Sequence, residues 1–175
     1  IIHVIGTGTI GEPLIGLLSR YKKHLGINQV TFHKNTPLAH DMPKVKQLMQ
    51  HGAKLSTDPD KVKGFKDLGV MPSFTKEEAI ERATVVIDCT PSGVGLENKK
   101  NYYDNYKDKV RGFIAQGSEF GFGKMYAKNI TKLSNDDQFV QVVSCNTHNL
   151  AALVKTFEKG LSSSGSVLSG DFVCL

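Results

Sequence analysis

The stretch Ile1-Ile2-His3-Val4-Ile5-Gly6-Thr7-Gly8-Thr9-Ile10-Gly11, running on into Glu12-Pro13-Leu14-Ile15-Gly16-Leu17-Leu18-Ser19-Arg20-Tyr21, decides the fold. Its first five residues form a short, nearly continuous apolar run, the pattern of a strand covered on both faces. Ile10, Leu14, Leu17, Leu18 and Tyr21 then recur at helical spacing, which predicts a helix over 9–23 with one core-facing stripe. Between strand and helix lies G-x-G-x-x-G, in the strand–turn–helix context that gives this pattern meaning. Gly6 permits the tight turn, Gly8 lets a pyrophosphate approach the backbone, and Gly11 allows close helix packing. Backbone N–H groups at the helix start then face the phosphates, aided by the helix dipole. A dinucleotide loop outweighs an ordinary glycine-rich turn.

Working outward, the same alternation repeats. Apolar, β-rich runs at 1–5, 29–32, 53–56, 85–88, 112–115 and 140–144 alternate with helical patterns at 41–51, 76–83 and 98–106. A last helix is expected at 150–159, with its pattern beginning at Cys145, then a flexible serine-rich stretch at 162–166 and a terminal strand at 171–175. The expected class is α/β, a doubly wound, mostly parallel sheet with helices on both faces. With 175 residues and 39% hydrophobic content, the chain is long enough for one domain, or one and part of another. No window approaches the ~18 apolar residues of a membrane span, and no signal peptide leads the chain, so a soluble cytoplasmic protein is expected. Both ends fall inside apolar runs, and the first residue is not Met, which suggests a piece of something longer.

The net charge of +5 is localised. Residues 1–57 hold seven basic groups (Arg20, Lys22, Lys23, Lys34, Lys44, Lys46, Lys54) against Glu12 and Asp41, and the remaining residues balance. An anionic partner is favoured there. Nucleic acid is not: the basic groups are not interleaved with aromatics and no nucleic-acid motif appears. The end of the second strand narrows the choice. An NAD site usually places Asp or Glu there for the ribose hydroxyls. The sequence instead reads Thr31-Phe32-His33-Lys34-Asn35-Thr36. Lys34, Asn35 and Thr36 suit a 2′-phosphate, so NADP is the expected cofactor, with NAD possible.

Cys89, Cys145 and Cys174 are too far apart for a CxxC zinc or redox pair, and no metal site is expected. Cys89 and Cys174 sit in apolar strands and read as core residues. Cys145 falls where a strand hands over to a helix N-terminus, where the dipole and free N–H groups favour a thiolate nucleophile. His148 lies one turn on, in reach of the thiolate, although an N-terminal polar role suits it better.

Taken together, these residues resemble the archaeal-type (type II) phosphorylating glyceraldehyde-3-phosphate dehydrogenases. Gly6-Thr7-Gly8-Thr9-Ile10-Gly11 is similar to that family's cofactor loop, in which the Thr9 and Ile10 positions contact the dinucleotide. Lys34-Asn35-Thr36-Pro37 resembles its Lys-Thr-x-Pro segment, with Asn35 in place of Thr. Asp88-Cys89-Thr90-Pro91-Ser92-Gly93-Val94-Gly95 with Asn98-Lys99 matches a signature lining the cofactor, and Gln116-Gly117-Ser118-Glu119 resembles Gln-Gly-Gly-Glu. Ser144-Cys145-Asn146-Thr147 matches the nucleophile motif, whose Ser144 and Asn146 positions hold substrate. Phe120-Gly121 and His148-Asn149 depart from the family's usual Lys-His and Thr-Gly.

The resemblance implies a Rossmann-type dinucleotide-binding domain over 1–144 and the nucleophile helix and truncated start of a catalytic domain over 145–175. It implies that Cys145 attacks a phosphorylated aldehyde, that a thioester follows, and that inorganic phosphate releases an acyl phosphate. Thr90 and Gly117 join the cofactor-binding set. The general base is expected beyond Leu175, and a homo-tetramer is implied. Two other readings remain open: a dehydrogenase for another aldehyde or semialdehyde, and a nucleotide-binding module without turnover.

Overall fold

The computed structural model describes residues 1–117, 119–161 and 171–172. Among the described residues, eight strands form one sheet: β1 (Ile2–Ile5), β2 (Val30–His33), β3 (Lys54–Thr57), β4 (Phe74–Thr75), β5 (Val85–Asp88), β6 (Gly112–Gln116), β7 (Lys124–Tyr126) and β8 (Phe139–Val142). Six α-helices accompany them: α1 (Gly11–Tyr21), α2 (Met42–Gln50), α3 (Val62–Asp67), α4 (Lys76–Glu81), α5 (Val94–Asn101) and α6 (Cys145–Leu161). The strand order is β4-β3-β2-β1-β5-β6-β8-β7, and every pairing is parallel. This is the doubly wound α/β sheet expected, wholly rather than mostly parallel.

Parallel strands require crossovers, and helical crossovers cover both faces, which is why the central strands carry apolar side chains in each direction. Neighbours Val4 and Ile5 accordingly enter different cores. Val4 packs with Ile15, Phe32, Leu55 and Phe65, and Ile5 with Val86, Tyr103, Phe113 and Phe122. Each such side chain contributes roughly 1.5–3 kcal/mol on burial. Tyr103 stacks on Phe113 at 5.0 Å between centroids, and Phe113 on Phe139 at 4.8 Å.

The expected stripe on α1 needs correcting. Gly11, Ile15 and Ser19 are its buried residues, while Ile10, Leu17 and Tyr21 are half exposed. Leu14 and Leu18 of the expected stripe do pack against the core, beside fully buried Ile15, and Gly11 lets the helix start hard against the glycine loop. The helix expected over 98–106 divides into α5 and a 3-10 turn at Tyr103–Tyr106. The serine-rich stretch, Cys174, Ser118 and most of the expected terminal strand lie outside the described residues. Among the described residues, no helix is long and apolar enough to cross a membrane.

Candidate dinucleotide site and nucleophile

The chain runs from β1 outward through β2, β3 and β4, then returns to add β5 on the other side of β1. Loops leaving β1 and β5 therefore part in opposite directions, opening the crevice in which α/β sheets bind ligands. The glycine loop lines that crevice. Gly6 has φ +96°, and a Cβ there would lie 2.8 Å from the Cys89 carbonyl oxygen. A Cβ on Gly11 would lie 2.0 Å from the Gly6 carbonyl oxygen. Gly8 is different: nothing lies within 4 Å of its Cβ position, so the protein itself has no need of glycine there. The open side of Gly8 fits a pyrophosphate brought against the backbone. Gly8, Thr9 and Ile10 are exposed, and Ile10 offers no side-chain cap to the first-turn N–H groups of α1.

At the end of β2, Lys34 is near-buried, with 11% of its side chain exposed, and donates to Asp41 Oδ2 at 2.7 Å. Asn35 and Thr36 are exposed beside it. Lys34 and Asp41 share a cleft with Thr7, Glu12 and Lys44, and Lys44 donates to Glu12 Oε2 at 2.9 Å. The hydrogen bond from Lys34, with the charges of Lys34, His40 and Lys44, holds the Asp41 carboxyl below the usual carboxylate range. The localised positive charge is thus not concentrated here. The only two carboxylates among residues 1–57, Glu12 and Asp41, both fold into this cleft and balance its two lysines.

The loop after β5 is built on Asp88, which is buried and accepts four hydrogen bonds. Its Oδ1 takes the Thr90 N–H at 2.9 Å and the Thr90 hydroxyl, and its Oδ2 takes Asn98 at 2.9 Å and the Tyr103 hydroxyl at 2.5 Å. Burial first, then the Asp88 charge, pushes the Tyr103 phenol well above its ordinary range and the Cys89 thiol up to about 12. Cys89 is a buried core thiol, as expected. Buried Glu119 does for α5 what a capping side chain does elsewhere: Gly93 N–H donates to Oε1 at 2.6 Å and Leu96 N–H to Oε2 at 3.2 Å. The segments after β5 and β6 are therefore one hydrogen-bonded unit.

Cys145 begins α6, directly after β8, and is exposed, with Sγ 4.0 Å from Asn146 Oδ1. Ser144 caps the helix: its Oγ accepts from Thr147 N–H at 3.3 Å and lies 2.9 Å from the Thr147 hydroxyl. His148 Nε2 accepts the Lys128 N–H at 2.9 Å, so this nitrogen braces the loop after β7. Gly117, at φ +83°, holds the end of β6 through its N–H to Val142 oxygen at 3.0 Å, and shares a cleft with Phe120, Gln141, Ser144 and Thr147. A separate cavity beside Pro13, Leu17, Arg20 and His51 includes none of these residues.

Parallel pairing brings all the expected groups to one edge. Lys34 follows β2, the glycine loop β1, Thr90 β5, Gly117 β6 and Cys145 β8, the spatial order along the carboxyl ends of the sheet. Four strand spacings separate β2 from β8, about 19 Å, the scale of an extended dinucleotide. Asp88, Glu119 and Asp41 are the residues whose roles the linear reading missed. The first two stood inside recognised motifs, but their buried acceptor work is not visible in one dimension. Asp41 carried no signal at all, because it reaches the cleft through a turn.

No protein-family model matches the chain. It is similar to curated proteins named glyceraldehyde-3-phosphate dehydrogenase from archaea. That of Pyrobaculum arsenaticum is 31% identical over 160 residues, 87% of this chain and 42% of the relative. That of Methanosarcina acetivorans, named glyceraldehyde-3-phosphate dehydrogenase 1, is 31% identical over 166 residues, 91% of this chain and 45% of the relative. That of Methanobacterium bryantii is 32% identical over 154 residues, 85% of this chain and 42% of the relative. Over most of its length the chain is a homologue of the N-terminal portion of these enzymes, and it spans less than half of their length.

Proposed function

We propose that this chain supplies the cofactor-binding and nucleophile-bearing part of an NADP-dependent, phosphorylating glyceraldehyde-3-phosphate dehydrogenase. The observation that carries the proposal is the single-file arrangement of Lys34, the glycine loop, Thr90, Gly117 and Cys145 along the carboxyl edge. The residues fit a dinucleotide: Gly6, Gly8, Thr9, Ile10 and Gly11 receive the pyrophosphate, Lys34, Asn35 and Thr36 the 2′-phosphate, and Thr90 and Gly117 the segment toward the nicotinamide. When bound, the nicotinamide supplies the hydride acceptor.

The chain's own part is covalent. The Cys145 thiolate adds to the aldehyde carbon and holds it as a thiohemiacetal. Ser144 and Asn146 flank that carbon, and the helix start favours negative charge beside it. After oxidation the thioester at Cys145 is cleaved by inorganic phosphate, which leaves as an acyl phosphate. The same reading makes the assembled protein a cytoplasmic homo-oligomer.

Fluorescence titration with NADPH and NADH tests the assignment. The chain should bind NADPH more tightly, Lys34→Ala should lose that preference, and Cys145→Ser should keep both affinities while forming no acyl thioester. Equal affinities for the two cofactors in the unaltered chain would sink the NADP assignment.

A further inference from the structure

The cleft at the end of β2 is balanced by its own carboxylates, and this has a consequence for cofactor choice. Lys34 is the cation nearest the expected 2′-phosphate, yet its ammonium is already engaged by Asp41 at 2.7 Å. Asp41 also has His40 Nε2 at 3.5 Å from Oδ1, and Lys44 lines the same cleft. Its carboxyl remains ionised well below neutral pH, as the Lys34 hydrogen bond ensures. A carboxylate in this position can accept from a ribose 2′-hydroxyl, the task usually given to an acidic residue at the tip of the second strand. It cannot accept from a 2′-phosphate, which presents only oxygens and carries like charge. The Lys34 ammonium has further donors to offer a phosphate, but the Asp41 charge bonded to it offsets that attraction and repels the phosphate.

We infer that Asp41 is a specificity-determining residue that competes with the 2′-phosphate for Lys34 and so limits the preference for NADP over NAD. The inference rests on the dinucleotide reading of the glycine loop. Asp41 reaches the cleft at the end of β2 from a 3-10 turn (Ala39–Asp41) after the strand, with Lys34 attached. One position then serves both cofactors. With NAD, Asp41 bonds the ribose and Lys34 neutralises it. With NADP, Lys34 is shared between Asp41 and the phosphate, and the Asp41 charge weakens its hold.

Asp41→Asn keeps the shape of the side chain and removes the charge, and Asp41→Ser provides a second, smaller variant in case the first fails to fold. NADPH and NADH dissociation constants are measured by fluorescence titration of the 175-residue chain, at low and at physiological salt. The expected result is a rise of about tenfold in the NADPH-to-NADH affinity ratio, about 1.4 kcal/mol, larger at low salt. In a Lys34→Ala background the same substitution should move the ratio by less than about threefold, because the freed cation is gone. If the unaltered chain binds both cofactors and neither variant shifts the ratio beyond about twofold, the role of Asp41 is overturned while the dinucleotide reading stands. If the unaltered chain binds neither cofactor, the dinucleotide reading falls and this inference with it.

Discussion

Gly8 and Gly11 are both glycines of one motif, yet they answer to different constraints, and substitution separates them. Gly11→Ala puts a Cβ 2.0 Å from a backbone oxygen. Neither the loop nor α1 can yield without moving, so the cost is expected to be about 3 kcal/mol or more, read as a fall in urea midpoint. Gly8→Ala meets no protein atom within 4 Å. Its stability should stay within about 0.5 kcal/mol of the unaltered chain, while affinity for either dinucleotide falls at least about tenfold. If Gly8→Ala bound the cofactor normally, the loop would be a structural turn and nothing more. Asp88 shows the same economy in a polar residue: its two oxygens hold Thr90, Asn98 and Tyr103, so a single buried carboxylate shapes the whole loop after β5.

At the scale of elements, α5 depends on a residue from a different part of the chain. Glu119 satisfies its first N–H groups, and Gly95 is packed so closely that a Cβ there would lie 3.2 Å from the Glu119 carboxyl carbon. Glu119→Ala should lower Tm by about 3–8 °C, and Glu119→Gln, which retains one acceptor, by less. The measurement is a thermal melt, and no change with Ala would remove the capping role. Elements with a long apolar run or a strong local signal were legible in the sequence: β1 with its loop, β5 with its Cys-Thr-Pro signature, β8 leading into Cys145. The short edge strands β4 and β7 were not, because two or three residues with half-exposed or exposed side chains carry no period. The face of α1 misled for another reason. Hydrophobic spacing points to Ile10, Leu14, Leu17, Leu18 and Tyr21, but only Leu14 and Leu18 of these pack on the core, and the close approach at Gly11 centres the buried face on Ile15 and Ser19. Of the site, the glycine loop and the place of Cys145 at a helix start were legible in the sequence. The Lys34–Asp41 pair could not, since it depends on a turn that folds back on the strand end.

At the scale of the whole molecule, the sheet carries a row of buried polar side chains across β1, β2 and β3. His3 Nδ1 lies 2.8 Å from the Thr31 hydroxyl, and His33 Nδ1 lies 3.4 Å from the Ser56 hydroxyl, on adjacent strands. Burial is the main cause that lowers both imidazoles, His3 to about 3 and His33 to about 4, from an ordinary 6.5. The mutual repulsion of the two rings lowers His3 further, and for His33 the nearby Asp58 charge opposes burial while Lys76 adds to it. Both are therefore neutral in the folded protein. The unfolded chain takes up protons below pH 6.5 that the folded one refuses, so stability is full above that value and falls as pH drops toward 4. The pair should cost roughly 4 kcal/mol of stability by pH 5. Urea unfolding between pH 7 and pH 4.5 would show it, and His33→Gln should flatten the slope by about half. A flat profile would show that the rings are reached by water.

The sheet order also governs when the protein can form. Of the eight described strands β1 comes earliest in the chain and sits near the centre, pairing with β2 on one side and β5 on the other. On a growing chain its second edge stays open until Val85–Asp88 has been synthesised, and the contacts that close it are among the most distant in the sequence. Such pairings are slow, and an open apolar edge invites association with other chains. The crevice that gathers the site's groups thus forms only when the widest-spanning strand pairing is made, which links the ability to bind to a late step in assembling the sheet.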